Sequence, residues 1–153
     1  MLKKMKKAFT ITELVIVIAV IAILAAVLIP TFTTVVNNAN ESAAMQETKS
    51  EWTNCSAEIV TTVDASSMNY LIVHEGYAFI VLNGNLEVDP LMENVTTIEG
   101  TVKYNDTTTY TATKILGFKK DGTVVNSGET VPKDGYAFSS GFDVYSLTLQ
   151  TNP

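Results

Sequence analysis

The stretch LVIVIAVIAILAAVLI, Leu14 to Ile29, is aliphatic or Ala at every position and is closed by Pro30. As a helix it has no solvent-facing side, so lipid or other helices must surround it. Its sixteen residues rise about 24 Å, somewhat short of the roughly 30 Å of hydrocarbon in a bilayer. Extending the run back to Phe9 gives twenty-one residues and places Glu13 inside it. A carboxylate within lipid costs a few kcal/mol or more, so such residues are partnered or functional. The first turn of a helix also favours an acid by about 0.3–1 kcal/mol, and this local role is compatible with one in docking.

Outward from the apolar run, charge is uneven. Lys3, Lys4, Lys6 and Lys7 are four of the ten basic residues, and there is no Arg. This positive flank orients the amino terminus to the cytoplasm and everything after Pro30 outside. Past Lys7, six Lys face sixteen acidic residues, a balance of −10. Such a surface repels phosphate backbones, so no nucleic-acid partner is expected. The chain has 153 residues; without the apolar stretch about 120 remain, enough for one modest core and too few for a large multidomain enzyme. The lone Cys55 rules out an intramolecular disulfide.

A secretory signal peptide would also start with Lys and continue with an apolar core. Its cleavage site is missing: Ile29-Pro30-Thr31-Phe32 follows the core, and the first suitable small residues, Ser42 to Ala44, lie far downstream. A plain membrane anchor fits the length and leaves Glu13 unexplained. The segment Lys6-Lys7-Ala8-Phe9-Thr10-Ile11-Thr12-Glu13-Leu14 resembles the site at which a prepilin peptidase cuts type IV pilins and pseudopilins. It departs from that family at Ala8, where Gly is usual, and at Thr12, where an apolar residue is usual.

The resemblance covers the first thirty residues and implies several things. Cleavage falls between Ala8 and Phe9, ahead of the apolar run, which stays in the mature chain. The new amino group of Phe9 is methylated, and Glu13 pairs with the amino group of Phe9 on an adjacent subunit. The implied partners are the prepilin peptidase, copies of the chain or sister pilins, and a membrane assembly platform. Pro30 removes one helix hydrogen bond and clashes with the preceding turn, so it either stops the helix or kinks it. In pilins the helix continues past this proline, and the downstream residues agree. Met45, Thr48, Trp52, Cys55, Ile59 and Val63 form one stripe, with Glu47, Lys49, Glu51 and Glu58 on the other side. Asn37-Asn38-Ala39-Asn40, poor in helix propensity, separates the two halves.

From Tyr70 onward Tyr, Val, Ile and Thr punctuated by Gly, Asn and Asp predict short antiparallel strands. Tyr70–Val73 pairs with Tyr77–Leu82 across His74-Glu75-Gly76, and Ile115–Phe118 pairs with Thr123–Val125 across Asp121-Gly122. Asn83-Gly84 is a further turn, since both residues tolerate positive φ. Thr97–Tyr104, Tyr110–Phe118 and Tyr136–Leu149 supply further strands. The sheet needs a second layer, for which the stripe through Met45 and Trp52 is the candidate.

Little chemistry is legible in this head. His74, the one histidine, has no Cys or second His nearby and reads as a turn residue. Cys55 reads as a small core residue. Asn83, Asn85, Glu87 and Asp89 alternate like calcium ligands, but Val88 stands where such a loop turns on Gly and Asn94 where it needs a bidentate Glu. No cofactor is expected; calcium, held by some pseudopilins, is the one candidate. The Asn-x-Ser/Thr triplets at Asn40, Asn54, Asn94 and Asn105 are expected by chance in a chain rich in both residues.

The expectation is an α+β, pilin-like chain with four parts: a leader at 1–8, a transmembrane and filament-core helix at 9–29, an amphipathic continuation at 30–63, and a β-rich head at 64–153. It is a non-enzymatic filament subunit with one membrane span, cytoplasmic at its amino terminus, and at the cell surface once assembled. A pseudopilin of a secretion or DNA-uptake system shares the leader. A single-span anchored binding domain is the alternative of another class.

Overall fold

A computed structural model describes residues 9–59, 68–98 and 100–150. One helix, α1 (Ile11–Ile59), contains Pro30 in its interior. The alternative that the proline simply ends the helix is thereby excluded. Threonine hydroxyls support the turns around it: Thr31 donates to the carbonyls of Val27 and Leu28, and Thr33 and Thr34 donate to that of Pro30. The anticipated continuation to Val63 lies outside the described residues, as does the leader with Ala8.

The chain divides into two compact units, residues 1–40 and 41–153. In the first, the helix carries its large side chains outward all round, with Leu14, Ile21, Leu28 and Phe32 each more than half exposed. Its most apolar 18-residue window has a mean hydropathy of 3.1, long and apolar enough to cross a membrane.

In the second unit the helix segment lies on a nine-stranded sheet. Its strands are β1 (Tyr70–His74), β2 (Tyr77–Leu82), β3 (Asn85–Leu86), β4 (Met92–Glu93), β5 (Gly100–Lys103), β6 (Thr109–Phe118), β7 (Val124–Asn126), β8 (Tyr136–Ala137) and β9 (Phe142–Leu149). The main path runs β3-β2-β1-β9-β6-β5; β4 pairs with β2, and β7 and β8 pair with β6. All pairings are antiparallel. The turns expected at Asn83-Gly84 and Asp121-Gly122 are present, and the hairpin expected across His74-Glu75-Gly76 turns on Glu75-Gly76 alone, since His74 pairs with Tyr77 in the ladder. Glu75, Gly76, Asn83, Gly84 and Gly122 all hold the positive φ that such loops require.

Two expected strands are shorter. Among the described residues, strand pairing within 97–104 is confined to β5, and Ile98, just before it, packs under the sheet. Tyr136–Leu149 breaks into β8 and β9 at Ser139-Ser140-Gly141, where Gly141 takes φ +98 and the Phe142 amide donates to the Ser139 carbonyl.

The sheet is covered on both faces. Toward the helix, Trp52, Cys55 and Ile59 pack on Tyr70, Ile72, Val81, Ile115, Phe118 and Val144. Beneath, Leu71, Val73, Ile80, Tyr145 and Leu147 are covered by Leu91, Met92, Val95, Ile98 and Tyr104. This cover is tied down by amides of Glu87, Leu91 and Val95 donating to the carbonyls of Ile80, Ala78 and Gly76. All five residues of β1 are therefore buried. In β6 a register shift between Ile115 and Gly117 brings Phe118 to the helix-facing core beside Ile115, three residues away, where strict alternation would turn it to the other face. Gly117 itself admits the β8 backbone: a Cβ there would stand 2.1 Å from the Tyr136 carbonyl oxygen.

The helix stripe sits slightly off the expected line. Ala44, Thr48, Glu51, Trp52, Cys55 and Ile59 are buried, whereas Met45 is only half-buried. Glu51, assigned to the polar side by its charge, is a core-facing residue, 7% exposed.

Candidate functional site

The amino-terminal end of α1 is built around Thr10 and Glu13. The backbone N–H and the hydroxyl of Thr10 donate to Oε2 of Glu13, at 2.9 and 2.8 Å. The amide of Glu13 donates in return to Thr10 Oγ1, at 3.3 Å. This is the reciprocal capping box that Thr-x-x-Glu encodes, satisfying donors that a helix start leaves without partners. It gives Glu13 a local structural role. Both bonds end on Oε2, so the second carboxylate oxygen makes no hydrogen bond among the described residues. Phe9, immediately before the cap, is 79% exposed. Phe9, Glu13 and Pro30 thus lie along one apolar, outward-facing segment.

The head offers little of the chemistry of catalysis. Cys55 is fully buried, and burial, followed by the nearby Glu51 charge, pushes its thiol far above the ordinary range. That is the reverse of what a nucleophile needs. Glu51 accepts from the amide and hydroxyl of Ser139 at 2.8 and 2.9 Å, pinning the β8–β9 connection to the helix. Tyr136 donates to the Glu51 carbonyl at 3.3 Å, and Trp52 donates its indole N–H to the Gly84 carbonyl at 3.1 Å. These polar contacts join the helix to the sheet.

The calcium candidates are divided. Asn83 and Asn85 belong to the β2–β3 hairpin, with the Asn83 amide held by the Asn69 side chain, while Glu87 and Asp89 line a cleft of about 210 Å³ with Ile80, Pro90, Leu91 and Tyr104. His74 is not a turn residue. It closes β1 with its ring buried, 2.7 Å from Oε2 of Glu47 and 3.0 Å from the Gly141 carbonyl oxygen, and it stacks on Phe142. These partners are remote in sequence: Glu47 comes from the helix, Gly141 from the β8–β9 connection and Phe142 from the start of β9. The only signal was positional: His74 follows Tyr70 and Ile72 at the two-residue spacing of the helix-facing side.

Residues 3–29 match the family model of the prokaryotic N-terminal methylation motif. This is the leader signature of type IV pilins and pseudopilins. No curated protein and no solved structure matches the chain. The chain therefore joins that signature to a long apolar helix and an antiparallel sheet, a pilin-like α+β arrangement.

Proposed function

We propose that the chain is a structural subunit of a type IV pilus-like filament, cut between Ala8 and Phe9 by a prepilin peptidase and methylated on the new amino group of Phe9. It is inserted with its amino terminus in the cytoplasm and its head outside, then assembled with helices bundled within and heads without. The observation that carries this reading is the methylation-motif match at 3–29, coinciding with an apolar helix that continues through Pro30. A cleaved secretory signal would discard that helix.

Moving from lipid to a helix bundle changes little hydrophobic free energy, because acyl chains and Leu are similarly apolar. Direction and register must therefore come from packing and from charge. Glu13 supplies the charge: the oxygen not used by its capping box is free to meet the amino group of Phe9 on a neighbouring subunit.

Mass spectrometry of the mature protein tests the processing, with a chain beginning at Phe9 and carrying one added methyl group as the expected species. A chain beginning at Met1 would instead support a plain anchor, and one beginning beyond Pro30 a secreted protein. Glu13→Ala is expected to insert normally and to be depleted from sheared filaments; equal incorporation would remove the pairing role. A pseudopilin of a secretion or DNA-uptake system shares the leader motif, and abundant long surface filaments would separate the pilus reading from it.

A further inference from the structure

Among the described residues, Glu47, His74 and Glu75 place one ligand atom each within 4.8 Å of one another. They come from different elements: Glu47 from the helix, His74 from the end of β1, and Glu75 from the two-residue turn that follows. The His74 ring is held before any ligand arrives. Its Nδ1 lies 3.0 Å from the carbonyl oxygen of Gly141; a carbonyl only accepts, so this nitrogen carries hydrogen. Phe142 stacks on the ring at 3.9 Å and 11°. The remaining nitrogen, Nε2, faces the Glu47 carboxylate 2.7 Å away; a proton held between the two in the metal-free site is released to solvent when an ion takes its place. A histidine whose far nitrogen donates to a backbone carbonyl, fixing the ring, is the usual arrangement behind a metal-bound imidazole.

We propose that Glu47, His74 and Glu75 form a binding site for one divalent transition-metal ion of the zinc type. The ligands are Nε2 of His74 and one carboxylate oxygen from each glutamate, with water on the open side. Two carboxylates balance the charge of the ion, and the imidazole favours zinc-like metals over calcium or magnesium. Metal–ligand bonds of about 2.0–2.2 Å place tetrahedral neighbours roughly 3.3 Å apart. The Nε2 to Oε2 separation therefore opens by about 0.6 Å, a small rotation for the Glu47 side chain, which is 58% exposed. The bound ion ties the helix to the β1–β2 hairpin from outside the apolar core. The inference is independent of the filament reading, since all three ligands belong to the unit spanning residues 41–153.

The test is calorimetric titration of the full chain in detergent micelles with Zn²⁺ alone, then with Ca²⁺ alone. One equivalent of Zn²⁺ per chain is expected, bound about tenfold or more weakly by Glu47→Gln and by Glu75→Gln. Co²⁺ should give visible absorption bands that disappear in His74→Gln. Glu75 is exposed at a turn, so its variant retains the fold and keeps the test decisive even if His74→Gln melts early. Absence of saturable Zn²⁺ uptake below millimolar concentration overturns the proposal, as does uptake unchanged in the two glutamate variants. Ca²⁺ bound as tightly as Zn²⁺ would equally overturn it, because an imidazole-containing site does not behave so.

Discussion

Trp52→Phe measures how firmly the helix segment is held to the sheet. Trp52 is 5% exposed, donates to the Gly84 carbonyl at 3.1 Å, and its ring centroid lies 5.7 Å from that of Tyr70. Phenylalanine keeps the ring contact and loses the N–H, leaving the Gly84 carbonyl one partner short at a net cost of about 1 kcal/mol. The smaller ring also leaves a void on the order of 40 Å³, which at roughly 24 cal/mol per Å³ adds about 1 kcal/mol. The sum, about 2 kcal/mol, corresponds to a fall in Tm of roughly 8 °C for a folded unit of this size. Trp52→Ala, losing the whole ring, should cost about 4 kcal/mol. The assay is thermal denaturation of the full chain in detergent followed by near-ultraviolet circular dichroism, which reads the packed aromatics of the head. Exposed Lys49→Ala is the control, expected within about 0.5 kcal/mol of the parent. If Trp52→Phe melts within about 2 °C of the parent, the helix is not a structural layer of the head and the reasoning fails.

The other expectations can be stated briefly. Glu51→Ala removes the acceptor of both Ser139 bonds and should destabilise the head by about 2 kcal/mol, whereas Ser139→Ala, keeping its amide bond, should cost about half of that; equal losses in thermal melts would contradict the assignment. Burial pushes the Tyr70 phenol up to about 12, with the neighbouring Cys55 adding to the shift. The neutral phenol is the form the fold prefers, so its stabilising contribution is intact below the ordinary tyrosine value of about 10 and is lost as pH rises from there through about 12. An alkaline titration should therefore show loss of near-ultraviolet signal accompanying the late tyrosine ionisations, above the ordinary range, and not the early ones. Cys55, its thiol raised by burial, should resist alkylation at pH 8 in the native chain and react at once in denaturant.

What was legible in the sequence followed from local rules. The unbroken aliphatic run decides the stem; Asn83-Gly84 marks a turn because few residue pairs accept positive φ at both positions, and in Asp121-Gly122 the glycine alone takes it. Glu51 was misplaced although it stands three residues after Thr48 and four before Cys55, squarely on the buried stripe. Its charge outweighed its spacing, and the compensating donors on Ser139 lie 88 residues away. The runs Tyr70–Val73 and Tyr77–Leu82 are apolar at consecutive positions, a pattern belonging to strands covered on both faces. The cover itself, Leu91 to Ile98, has no period of its own and could not be placed beneath them. The capping box is written in Thr10-x-x-Glu13, so the same acid that is anomalous in lipid is also a local helix start.

The order β2-β1-β9-β6 has a consequence for how the head comes into being. Among the described residues, the two halves of the sheet, one around β1 and β2 and the other around β5 and β6, are hydrogen-bonded to each other only through β9, which pairs with β1 along one edge and with β6 along the other. Both halves must wait, exposed, until β9, the last strand among the described residues, has been synthesised. Closure is then a single late event spanning most of the polypeptide, the kind of long-range pairing that proceeds slowly. Until then two unfinished β surfaces compete for that strand, and any copy of β9 nearby would fit.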